Sequence, residues 1–221
     1  MNITLYIAYS SFGSVLIPLT IAILQWNKLN KELKILTWIL IVSLIIDSLS
    51  LVLLKFSINT LPMGNAYLLA QFTLLFWIFT MQFRTKKVFI IIYFGFVFFY
   101  IINLSFIQSF LIFNSNSNVV ASLILMLLSL LYFYKLLNEL PSIHIHQLPM
   151  LWISFGVLVY YSGTLFTFLA SNYFFQLTDE ESVMVWILHN LLNITKNFLF
   201  AIGLWQSYRK VRSSILSSSV P

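Results

Sequence analysis

The stretch Val183–Ser207, VMVWILHNLLNITKNFLFAIGLWQS, decides the class of this chain. It is long enough for the hydrocarbon layer, which takes about 20 predominantly apolar residues to cross. Yet Lys196 stands inside it, with His189, Asn190, Asn193 and Asn197 close by. A charge at the bilayer centre costs about 2.5–3.5 kcal/mol on insertion scales, so such a residue faces a partner or a water-filled path. The stretch therefore reads as a membrane helix with one polar face turned into a bundle.

The rest of the chain agrees. Of 221 residues, 60% are hydrophobic and only 8% charged, more apolar than a soluble domain of this size requires. Cysteine is absent, which excludes disulfide scaffolds, thiol redox chemistry and cysteine-ligated metals. The N-terminus has no basic region ahead of its first apolar run, so no cleavable signal peptide is expected. Hydropathy predicts seven segments: Ile3–Trp26, Ile35–Leu54, Tyr67–Phe83, Val88–Phe106, Val119–Tyr134, Met150–Asn172 and Val183–Ser207. The expected fold class is an all-α membrane protein, a seven-transmembrane-helix bundle spanning residues 1–212, with a short serine-rich tail at 213–221.

Charge in the connections sets the expected orientation. Lys28, Lys31, Lys34, Arg84, Lys86, Lys87, Lys135, Arg209, Lys210 and Arg212 all fall on one side. The other side carries Lys55, an uncharged Asn-Ser-Asn-Ser-Asn run at 114–118, and the acids Asp179, Glu180 and Glu181. By the positive-inside rule the N-terminus lies outside and the C-terminus in the cytoplasm. The net charge of +6 thus serves membrane orientation and implies no nucleic-acid partner. The 114–118 run and the outer acids read as solvated loops. A short echo, KLNKEL at 28–33 and KLLNEL at 135–140, each followed by a tryptophan (Trp38, Trp152), suggests a parallel 3+1+3 repeat of the sort found in some transporters.

Besides Lys196, Asp47 is the one charge deep within a segment. Lys196 lies about 20 Å from the outer end of its helix and Asp47 about 18 Å from the inner end of its own, so the two reach similar depth and can pair. Two readings compete: a ligand, ion or proton site, or an ion pair that fixes two helices and does nothing else. His189, Asn193 and Lys196 follow i, i+4, i+7 spacing, as do Ser43, Asp47 and Ser50, so each set shares a helix face. Polar stripes turn inward because lipid cannot satisfy their hydrogen bonds. Five strongly polar residues within nine positions suggest a cavity lining more than simple interhelical bonding. Tyr160 and Tyr161, at the head of a Tyr-Tyr-Ser-Gly-Thr run, can offer hydroxyls inward, although packing explains that run as well. Gln71 and Thr73 on the third segment and Tyr100 and Asn103 on the fourth are further candidate lining. Pro18 should kink the first segment.

Other chemistries lack their residues. There is no HExxH, no glycine-rich phosphate loop, and His189 is the one histidine within a segment, too few for an intramembrane zinc hydrolase. His144 and His146 form a His-x-His pair without further ligands beyond Glu139, so no metal and no catalytic residue is expected. Lys196 invites comparison with retinal-binding lysines, but the third segment lacks a carboxylate counterion, and no cofactor is expected.

The stretch FGVLVYYSGTLF at 155–166, taken with HNLLNITKNFLFAIGLW at 189–205, resembles a family of small seven-helix integral membrane proteins of Bacteroidota. The resemblance covers the C-terminal third and brings no activity or site with it. It implies a bacterial inner-membrane protein encoded near sensor histidine kinases. The functional expectation is a membrane sensory or regulatory module that binds an unknown small ligand and signals through a partner such as a sensor kinase. A small-solute or ion transporter is the alternative, and an assembly scaffold the third.

Overall fold

The computed structural model describes residues 2–139, 145–170 and 179–218, and the described regular structure is helical. Eight α-helices follow in order: α1 (Asn2–Ser14), α2 (Leu16–Leu24), α3 (Lys31–Lys55), α4 (Leu61–Thr80), α5 (Lys87–Ile102), α6 (Ser115–Glu139), α7 (Pro149–Ala170) and α8 (Asp179–Ser218). Together α1 and α2 form one span, Thr4–Leu24, broken at Val15. The break lies one turn before Pro18, whose ring nitrogen cannot bond the Ser14 carbonyl.

Among the described residues, six spans are long and apolar enough to cross a membrane: Thr4–Leu24, Lys31–Lys55, Leu61–Thr80, Lys87–Ile107, Ser115–Glu139 and Pro149–Thr167. The chain is thus built as a multi-pass membrane protein. Helix α8, which carries Lys196, is not among those six although it runs for 40 residues. Its asparagines, histidine and lysine dilute the apolar run.

Several boundaries move for local reasons. Helix α3 starts when the Asn30 side chain accepts from the Leu33 amide at 3.1 Å, capping an otherwise unpaired N–H of the first turn. It stops in a Schellman turn: Ser57 adopts φ 56°, its amide bonds Leu54 O at 3.0 Å, and the Ile58 amide bonds Leu53 O at 3.1 Å. Helix α4 begins at Leu61 with a proline in its first turn, so Tyr67, predicted at a segment end, lies well inside it. Helix α6 begins at Ser115, which makes most of the supposed 114–118 loop helical. The KLNKEL echo does not survive either. Residues 28–33 cross a helix break and a cap, whereas 135–139 are the last turns of α6.

Helices α7 and α8 pack along their lengths, α6 backs α7, and both halves of the first span lie on α8. Helix α3 rests against α2 and α4, while α4 also meets α6 and the peripheral α5. Glycine permits the close approach of α7 and α8: a Cβ at Gly203 would come within 2.9 Å of the Pro149 carbonyl oxygen. Buried Phe72, Phe79, Leu125, Ile153 and Phe200 fill the interior, while Ile91, Phe98, Leu127 and Phe166 face outward, where lipid would take the place of water. Phe72, Phe96 and Tyr93 hold α5 to α4, with the Phe72 and Phe96 ring centroids 3.8 Å apart.

Candidate functional site

The Lys196 side of α8 is a buried polar centre. Lys196 is 7% exposed, and its Nζ lies 4.0 Å from the centroid of the Tyr160 ring on α7. That is cation–π geometry, worth about 2 kcal/mol where desolvated. The Tyr160 ring also meets those of Tyr161 at 5.0 Å and His189 at 5.7 Å. Across from them, Ser43 Oγ donates to Asp47 Oδ2 at 3.4 Å on α3. The Tyr67 hydroxyl on α4 turns toward Ser43 and Asp47 and adjoins the tyrosine pair. Four helices thus bring two charges, three tyrosines and a histidine to one depth.

Asp47 and Lys196 do not form the ion pair their depths allow. Each lies in the other's electrostatic field, yet the salt bridge seen among the described residues is Lys135–Glu139, at 3.8 Å on the basic end. Helix α3 packs on α2 and α4 rather than closely on α8.

The asparagines of α8 also differ from expectation. Asn193 Nδ2 donates to Ser11 Oγ at 2.9 Å, and Asn197 Nδ2 to Ser14 Oγ at 2.8 Å. Asn190 Nδ2 bonds back to Trp186 O at 2.8 Å. Two of the three therefore tie α8 to α1 just ahead of its break, the interhelical bonding that the cavity reading had set aside. Asn197 still buries an Oδ1 without a hydrogen-bond partner. Gln71 lies one turn beyond Tyr67 on the same helix face, half-buried. The sequence reading missed Tyr67, Ser11 and Ser14: Tyr67 because it fell on a predicted segment end, the serines because single hydroxyls in an apolar run carry no signal.

A second polar cluster lies at the end opposite the basic connections. Just past α5, residues Asn103–Ile107 form a π turn in which the Gln108 amide bonds Asn103 O at 2.7 Å. The wider turn directs Asn103 at the start of α6. Its Nδ2 donates to Gln108 Oε1 at 3.1 Å, to Ser117 Oγ at 3.1 Å and to Asn114 Oδ1, while its Oδ1 accepts from Asn116 Nδ2 at 3.3 Å. Asn65 on α4 closes the cluster by donating to the Phe110 and Ile112 carbonyls, each at 2.8 Å, and by accepting from the Asn114 amide. The Tyr100 hydroxyl reaches Asn65 O at 2.8 Å. The 114–118 run is therefore no solvated loop, since Asn114, Ser115 and Ser117 are buried. Tyr100 and Asn103 belong to this cluster and not to the Lys196 centre. Thr73 belongs to neither; its hydroxyl meets Leu69 O and, at 3.3 Å, Tyr93.

No group of histidine, cysteine or carboxylate side chains among the described residues could hold a metal ion. His144 of the His-x-His pair lies outside the described residues. A cavity of about 600 Å³ opens elsewhere, between α4, α5 and the start of α3, and shares no lining residue with the Lys196 centre. No protein-family model, curated protein or solved structure matches this chain.

Proposed function

We propose that this protein is a seven-span membrane sensory or regulatory module, N-terminus outside, whose centre around Lys196 takes a small anionic or carbonyl-bearing ligand and passes its state to a partner protein. One observation carries the reading. A buried ammonium rests on an aromatic face with no carboxylate at ion-pair distance among the described residues, so its N–H donors remain for a ligand. Tyr160 supplies the aromatic face beneath it with Tyr161 alongside, and Asp47 selects against a second negative charge near α3. The resemblance of the C-terminal third supports a bacterial inner-membrane setting and a sensor kinase as the partner.

The transporter reading rests on the same mid-depth charges and requires a centre that opens alternately to both sides. Native mass spectrometry of the protein extracted from its own membrane should show a small molecule on the wild type that Lys196→Met lacks. Identical spectra would remove the binding reading. Uptake of that molecule into liposomes by the purified protein would replace sensing with transport.

Orientation is testable because the chain has no cysteine background. Ser115 is buried, which makes it a poor probe. Ser109→Cys, on exposed chain, should react with an impermeant thiol reagent from outside, and Thr85→Cys only after the membrane is opened. The reverse pattern would invert the bundle.

A further inference from the structure

The cavity of about 600 Å³ lies where α4 ends and α5 begins, with the first turn of α3 at its mouth. Its volume falls within the usual range for small-molecule sites. Its wall is amphipathic by position. Lys31 and Lys86 stand at the basic end, while Phe76, Trp77, Phe89 and Phe94 line the depth. The hydroxyls of Thr73 and Tyr93, also in the wall, lie 3.3 Å apart and satisfy each other, so the inner part presents apolar surface. From Lys86 to Phe94 the groove follows α5 for about 12 Å, from the headgroup level into the hydrocarbon. Trp77 and Ile90 are exposed, which leaves the groove open sideways to lipid.

We infer that this groove holds an anionic phospholipid of the leaflet at the basic end, with its phosphate between Lys31 and Lys86 and one acyl chain along the aromatic wall. Charge complementarity selects this occupant: basic pockets between transmembrane helices on the positive side receive acidic headgroups. A partner helix would cover the apolar wall but leave the two ammonium groups at the mouth unused. Glu32 also lines the mouth and opposes the anion, which limits the preference. With two lysines against one carboxylate, the expected preference for an anionic over a zwitterionic lipid is about fivefold.

The test uses the full chain in detergent with defined mixtures of phosphatidylglycerol and phosphatidylethanolamine, read by native mass spectrometry. Wild type should retain phosphatidylglycerol about fivefold over phosphatidylethanolamine. Lys31→Gln with Lys86→Gln should abolish the preference, and Glu32→Gln should increase it. Ile90→Trp, which fills the groove from an exposed position, should reduce retention of both lipids, while Lys55→Gln at the other end should change nothing. Equal retention of the two lipids by wild type, or a preference that survives the double lysine change, would overturn the inference. Displacement of the lipid by millimolar inorganic phosphate would do so too, by showing a free-phosphate site. Should the double variant fail to fold, Glu32→Gln and Ile90→Trp decide the question.

Discussion

The two polar regions of this bundle use similar residues to opposite ends. In the cluster around Asn103, Asn65, Asn103 and Asn114 exchange hydrogen bonds with serines, a glutamine and backbone carbonyls, with no charge among them. At the Lys196 centre the two charges form no salt bridge, and Lys196 rests on the Tyr160 ring instead. A neutral network with one unpartnered atom, Asn114 Nδ2, favours a single arrangement, because alternatives leave more donors or acceptors buried alone. Charges held by a π face and a long hydroxyl contact leave donors unspent. The Asn103 cluster is a clasp, and the Lys196 centre is the proposed site.

The comparison breaks if stability does not follow it. Asn103→Ala removes the hub of the clasp and strands several partners, and should cost about 2–3 kcal/mol in reversible unfolding from mixed micelles. A loss under about 0.5 kcal/mol would mean that water or lipid replaces the network. Gly203→Ala presses a methyl group on the Pro149 carbonyl and should cost about 1–2 kcal/mol through the α7–α8 contact, seen as a lowered Tm. Ser57→Gly acts the other way and should stabilise by about 1 kcal/mol, since it relieves a left-handed residue at the end of α3. Asn193→Ala, which severs one bond to Ser11, should cost about 0.6 kcal/mol, the average for such contacts in a membrane bundle.

A small effect on stability is also expected at the most conspicuous residue. Lys196→Met keeps the packing and removes a charge that has no ion-pair partner, so the fold should hold within about 1 kcal/mol while ligand retention is lost. Asp47→Asn should add to it nearly independently, with a coupling below about 1 kcal/mol in a double-mutant cycle. Strong coupling would show that the two charges meet, and that the centre is a clasp like the Asn103 cluster.

How far the sequence revealed this division depends on the kind of signal. Apolar length and the alternation of basic connections are collective properties, so the helical membrane class and most of the spans were legible. Lys196 and Asp47 were visible because a charge in an apolar run is rare. Their separation was not, since depth along two helices leaves open how far apart the helices stand. The role of 114–118 was hidden for a related reason: asparagine and serine look alike in a solvated turn and in a buried cap. Only the π turn at Asn103, which no composition announces, brings the partners that distinguish them.

Helix α8 carries one more consequence. Its 40 residues amount to about 60 Å of continuous helix, roughly twice the hydrocarbon thickness. From Lys196 to Ser218 the backbone runs about 33 Å without a break. If the helix pivots where Lys196 meets Tyr160, a tilt of about 10° sweeps its far end through about 6 Å. A ligand that only nudges one ammonium off an aromatic ring would then be amplified mechanically, as a stylus amplifies a groove, into a displacement large enough for a neighbouring protein to register.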